Sequence, residues 1–297
     1  MQTFPRIVTP VGNTADDEGL LRYAAMVCRL APGAEVHCVH VRPRSSVFPD
    51  LQRIEKKWDE LCRHCADPCG RGDIRFHMME GDLTDEVLRF AAAAKAELIV
   101  VGASRRGGAR RSLARRLAMK APCSVWAVPH GSSDRIQRVL VPIDFSARAA
   151  DALRVATSVA ASAGLEACEA LHVYFNEANV TYDEYAELVR DSEETAFHIF
   201  AARIDLHGVY VKPRFVEAPQ VAHAIERVAA ETAADLIVMG TRGRSRSASV
   251  LLGSETDHML RNTTIPLLAV KHFGARMRLL QALLERRKAG RAKPGFN

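Results

Sequence analysis

Short β-branched runs alternate with longer Ala-rich stretches along the whole chain. In the second half the runs occupy residues 138–143, 167–174, 210–216, 235–239 and 266–271. Between them apolar residues recur at three- and four-residue spacing, as at Ala152, Val155, Ala156 and Val159, which places them on one face of a helix. Runs such as 235–239 are nearly continuously apolar, the pattern of strands covered on both faces. The alternation therefore predicts an α/β fold with a parallel sheet between layers of helices. In such sheets ligands bind outside the carboxyl ends of the strands. Asp144 and Gly240 each follow a strand run and belong at that rim.

The same pattern occurs twice. RIVTP at 6–10 aligns with RVLVP at 138–142 at an offset of 132, and His40-Val41 aligns with His172-Val173 at the same offset. AELIVVG at 96–102 aligns with ADLIVMG at 234–240 at an offset of 138, and Ala127-Val128 with Ala269-Val270 at an offset of 142. Matches that keep one order while the offset drifts slowly indicate an internal duplication. A chain of 297 residues suits two such domains. The expected division is 1–134, 135–272 and a tail at 273–297.

Charge changes the picture only at the end. The chain carries a formal net charge of +6, and the residues from Gly274 onward supply it, with seven Lys or Arg against Glu285 alone. The basic character thus belongs to the tail and not to a nucleic-acid-like surface over the whole protein. The tail reads as a short helix with Met277, Leu280, Leu283 and Leu284 on its apolar side. It suits packing on its own domain or on a sister chain, or contact with an acidic partner or membrane surface. No recognised nucleic-acid reader motif accompanies it, so no specific nucleic acid is expected. No apolar run approaches the ~18 residues of a transmembrane helix. The N-terminal MQTFPRIV lacks signal-peptide character, and seven cysteines are an odd number. A cytoplasmic protein with reduced thiols is the expectation.

The segment GTRGRSRSASVLLGS at 240–254 joins a strand run to a helical run. Its glycines let backbone N–H groups approach phosphate oxygens. The helix beginning at Ser254 adds unpaired donors and partial positive charge, although serine there also suits an ordinary N-cap. Arg242, Arg244 and Arg246 can add charge-assisted bonds. The Walker A pattern is absent, so no P-loop lysine is expected.

The spacing Gly240-x2-Gly243-x9-Gly253-Ser254 resembles the nucleotide loop of the universal stress protein family. VPIDFS at 141–146, LHV at 171–173 and IPLLAV at 265–270 agree with it, and the likeness covers nearly the whole chain as tandem domains. The resemblance implies two Rossmann-like domains of the adenine nucleotide alpha hydrolase type. Each would have a five-stranded parallel sheet of order 3-2-1-4-5, with ATP bound in some members. It places Asp144 near ribose and adenine, with Pro142 in the same site, and Val173 against the base through its backbone. Met239, Gly240, Arg242, Gly243, Gly253 and Ser254 would hold the phosphates of ATP, with or without Mg2+. Asp144 also reads as an Asx-turn acceptor before a helix starting near Ala147. Paired domains of the family associate through their last strands, so runs 123–128 and 266–270 would meet as a pseudo-dimer within one chain. A homodimer beyond that stays open.

The first copy departs from the pattern. Gly12 stands where Asp144 does, and the segment corresponding to 240–269 is four residues shorter. Matching back from the last strand puts Arg111 at Gly253 and Ser112 at Ser254. A side chain at that glycine would occupy space a phosphate needs. Arg105, Arg106, Arg110, Arg111, Arg115, Arg116 and Lys120 follow one another with no acid between them and read as a solvated basic face. One ATP site per chain is expected.

Cys62, Cys65 and Cys69, with His64 and the downstream His77, have spacing that metal ligands could use, yet no second Cys pair follows. Helix-end cysteines are the simpler reading, and no metal site is assigned. His172 reads as a packed core or rim histidine. No catalytic constellation stands out. The expected function is therefore a regulatory, stress-response protein that binds ATP in its second domain and acts on a protein partner. The alternatives are a slow ATP hydrolase or phosphoryl- or adenylyl-transfer enzyme, and an interaction protein that binds no nucleotide.

Overall fold

The computed structural model describes residues 4–12, 17–31, 33–43, 56, 73–103, 109–175, 183–241 and 252–271. In chain order the first half comprises β1 (Arg6–Val11), α1 (Asp17–Leu30), β2 (Glu35–Arg42), β3 (Asp73–Glu80), α2 (Leu83–Ala93), β4 (Leu98–Ala103), α3 (Ala109–Lys120) and β5 (Ser124–Pro129). The second half comprises β6 (Val139–Ile143), α4 (Ala147–Ser162), β7 (Ala167–Tyr174), α5 (Asp183–Ala201), β8 (Tyr210–Glu217), α6 (Val221–Glu231), β9 (Leu236–Gly240), α7 (Ser254–Asn262) and β10 (Leu267–Val270). Each strand run read from the second half becomes a strand, displaced by at most one residue at either end.

The strand order is β3-β2-β1-β4-β5-β10-β9-β6-β7-β8. Each half therefore has the order 3-2-1-4-5, and its strands pair in parallel. The halves do not form separate sheets. β5 and β10 pair antiparallel, with Leu267 opposite Ala127, Leu268 opposite Trp126 and Ala269 opposite Val125. Both strands are buried along their full length. Left as edges, they would present unpaired N–H and C=O groups on an apolar strand, a template for association. Pairing with each other satisfies both within one chain.

Side chains alternate across this seam and build two cores. Trp126, Val128 and Leu268 join α1, α4 and Phe197 of α5 on one face. Val125, Ala127 and Leu267 join α2, α3, α6 and α7 on the other. Each core draws residues from both halves, so the hydrophobic interior runs through the seam without a break. Lys271, just past β10, donates through Nζ to Ala121 O (2.5 Å), a further tie between the halves. Among the described residues no helix is long and apolar enough to cross a membrane. Cys28 and Cys38 are buried, and burial pushes the buried thiols of Cys123 and Cys168 up to about 12. They are inert at neutral pH. Cys62, Cys65, Cys69, His64 and the tail at 273–297 lie outside the described residues.

At the β2–β3 pairing, His37 Nδ1 and His77 Nε2 lie 3.0 Å apart, and both rings pack on Phe90. Glu35 approaches His37 Nε2 at 3.6 Å, and Arg75 lies 3.8 Å from Glu35. Burial lowers both histidine pKa values, and for His77 the neighbouring His37 and Arg75 charges add to the effect. Both are neutral in the fold, whereas the unfolded chain takes up protons near the ordinary value of 6.5. Stability from this pair is therefore complete above that value and is lost as pH falls below it. Urea midpoints should drop between about pH 7 and about pH 5, and His77→Gln should flatten the slope. A variant with the same slope as the parent would rule the pair out as its source.

Candidate functional site

The rim of the second half is organised by the end of β6. Asp144 Oδ1 accepts from Ser146 N–H at 3.1 Å, and the Ser146 hydroxyl accepts from Ala149 N–H at 3.2 Å. Asp144 thus forms an Asx turn, and Ser146 is the N-cap of α4. Between them Phe145 has φ 58, a left-handed conformation that costs roughly 1–2 kcal/mol in a residue with a Cβ. Its ring lies on His172, with centroids 4.3 Å apart. His172 Nδ1–H donates to Ile143 O at 2.9 Å, and its Nε2 lies 3.3 Å from Glu193 of α5. The first half repeats the clip, because His40 Nδ1–H donates to Val11 O at 3.0 Å. The duplicated His-Val pair therefore ties the end of each second strand to the end of each first strand. The dipeptide repeat was visible in the sequence, but the bond it makes was not.

Beside this turn, Pro142 lies in β6, and Val173 lies in β7 opposite Val216. Met239 is buried at the end of β9, and Gly240 is its last residue. Thr241 N–H donates to Val270 O at 3.0 Å, and Thr241 O accepts from Gly253 N–H at 2.8 Å. Thr256 Oγ1 donates to Gly240 O at 2.8 Å. The two ends of the glycine-rich segment are thus fastened together at the rim. Arg242, Gly243, Arg244 and Arg246 lie outside the described residues.

Ser254 does not cap the helix that follows. The N-cap of α7 is Gly253, at φ −69 and ψ 152, with no side-chain hydrogen bond, and Ser254 is the first helical residue. The Ser254 hydroxyl donates instead to Glu255 Oε1 at 3.1 Å. A glycine cap supplies no acceptor of its own to the first N–H groups of α7, so an external anion can take that role.

The strand ends of the first half also border open space. A cavity of about 920 Å3 lies at its rim, lined by Gly12, Asp17, His40, Leu113, His130 and Ser132 among others. What differs is the chemistry. Gly12 offers no carboxylate, and its N–H donates to both oxygens of Asp17, at 3.2 and 3.1 Å. Asp17 is buried, and Glu18 and Asp134 also line the cavity. Carboxylates at the base of a helix oppose a polyphosphate by like-charge repulsion. The four-residue deletion shortened the loop without collapsing the strand ends that floor the cavity.

Nor are Arg115 and Arg116 part of a plain solvated face. α3 lies between α2 and α7, and Arg116 Nε donates to Thr84 Oγ1 at 3.0 Å. Arg115 crosses the seam to pair with Asp257 of α7, which also holds Arg261 at 2.6 Å.

A sequence model of the universal stress protein family matches residues 3–129 and again 135–271. The chain belongs to the universal stress protein family. It is a tandem member, with two copies of the domain in one polypeptide. The chain is 30% identical over 94 residues to universal stress protein MJ0531 of Methanocaldococcus jannaschii. That match spans 32% of this chain and 55% of the archaeal protein. In fold it is similar to a universal stress protein from Archaeoglobus fulgidus, with TM-score 0.65, 21% identity, and 91% of this chain and 99% of that one covered. It is also similar to a putative universal stress protein of Pseudomonas aeruginosa, with TM-score 0.70, 14% identity, and 95% and 97% covered.

Proposed function

We propose that the second domain of this universal stress protein binds ATP, with or without Mg2+, while the first serves as its structural partner. The observation that carries this reading is the α7 N-terminus. It is capped by glycine, opens at the sheet rim, and sits at the end of a glycine-rich segment whose two ends are tied by Gly253 N–H to Thr241 O. Gly240, Gly243, Gly253, Ser254 and Arg242 hold the phosphates, and Met239 backs them. Asp144 takes the ribose hydroxyls, Val173 meets the base, and Pro142 borders the same pocket. His172 has both ring nitrogens engaged, with Ile143 O and Glu193.

The role is regulatory. Nucleotide occupancy sets the conformation of the segment from Gly240 to Gly253, and hence the surface offered to a protein partner. α7 carries that state to the first domain through Asp257 and Arg115. The protein as purified, once denatured, should release ATP, and titration of the stripped protein should saturate at one equivalent per chain. Saturation at two equivalents would assign a nucleotide to the first-domain cavity as well. Absence of any binding would leave the interaction-protein reading.

A further inference from the structure

We propose that the second domain carries a binding site for a divalent transition-metal ion of the zinc class, formed by His223 and Glu226 of α6 and His258 of α7. A ring nitrogen of each histidine and a carboxylate oxygen of Glu226 all lie within 4.8 Å of one another. His223 and Glu226 are three residues apart on one helix and so share a face. α7 packs against α6 and brings His258 to them, with Nε2 3.5 Å from Glu226 Oε1 and the two imidazoles 5.3 Å apart between centroids.

The donor set decides the class of ion. Two imidazoles and a carboxylate suit Zn2+ and its neighbours, and leave a fourth position to water. Mg2+ and Ca2+ prefer oxygen ligands throughout. Tetrahedral ligands about 2.0–2.1 Å from zinc sit about 3.3 Å from each other. Partly exposed side chains reach that spacing from the present one by small rotamer changes.

Gln220 supplies an outer shell. It is the N-cap residue of α6, yet its side chain makes no cap bond and instead accepts, through Oε1, from His223 Nδ1–H. That bond fixes the tautomer with the lone pair on Nε2, the arrangement found behind metal-bound histidines. The corresponding positions of the first domain are Asp85, Leu88 and Arg116, so the duplication does not repeat the set. Binding would pin α7, the helix that starts at Ser254, to α6. The site does not depend on nucleotide.

The test uses the untagged full-length chain carrying Cys62→Ser, Cys65→Ser and Cys69→Ser, so that thiolates cannot supply the ligands. Titration with Zn2+ should saturate at one equivalent and raise the melting temperature. Co2+ should give a ligand-field spectrum without thiolate charge transfer. His223→Ala and His258→Ala should each abolish uptake while the far-UV circular dichroism stays unchanged, and Gln220→Ala should weaken it about 10–100-fold. No uptake by the parent, or uptake that survives either histidine substitution, would overturn the site.

Discussion

Replacing Trp126 with alanine should remove about 3–5 kcal/mol of stability, the cost of emptying a fully packed indole site. Trp126 is 0% exposed and stands opposite Leu268 where the two halves of the sheet join. The Tyr23 ring meets it edge-on at 5.8 Å, so part of its packing comes from α1. A hole here faces β4, β5 and β10 at once, and strands hydrogen-bonded on both sides cannot move in to fill it. Trp126→Phe should cost much less. The indole Nε1 and Tyr23 Oη are buried beside each other, so phenylalanine removes a buried polar donor along with some volume. Urea unfolding followed by far-UV circular dichroism measures both variants. A loss under about 1 kcal/mol for the alanine variant would mean that the seam repacks and does not act as a rigid junction.

The second large effect is on the ligand. Asp144→Ala should weaken ATP binding about 10- to 150-fold, because hydrogen bonds to a charged acceptor are worth about 1.5–3 kcal/mol. Asp144 also receives Ser146 N–H, so the alanine variant loses the turn as well as the carboxylate. Asp144→Asn separates the two. Its amide oxygen can keep the Asx turn, while the carboxylate charge is gone. If Asn binds like the parent and Ala does not, Asp144 acts only by shaping the loop. If Asn binds nearly as weakly as Ala, the carboxylate itself holds the nucleotide. Calorimetric titration of the three stripped proteins distinguishes these results.

The strands were readable because a sheet covered on both faces demands apolar runs such as Leu236–Gly240, and few other environments tolerate them. The duplication then supplied the topology twice. The seam followed from the family resemblance, because nothing in the residues of β5 says that its partner is β10. The candidate site was legible less evenly. Asp144 and Ser146 fell where the turn needs them. The cap of α7 moved by one residue, because Gly253-Ser254 offers two residue types that both suit an N-cap. The first-domain cavity could not be foreseen from Gly12 and a shortened loop. Its carboxylate comes from Asp17, five residues further on, and reaches Gly12 only through the turn of the chain. Arg115 looked solvated in a basic run because Asp257, its counter-ion, lies 142 positions away. The His223, Glu226 and His258 cluster was hidden for the same reason, since two helices must pack before the third ligand arrives.

The antiparallel seam has one more consequence. The strands of each half run parallel, so reversing direction at β5 and β10 points the carboxyl ends of the halves toward opposite edges of the sheet. The rim bearing Asp144 and the cavity bearing Asp17 therefore open on opposite sides. A symmetric dimer of identical chains repeats every substitution at both of its sites. Fusion removes that obligation and makes pairing independent of protein concentration. The two poles of the molecule can therefore differ, with Gly12 at one and Asp144 at the other.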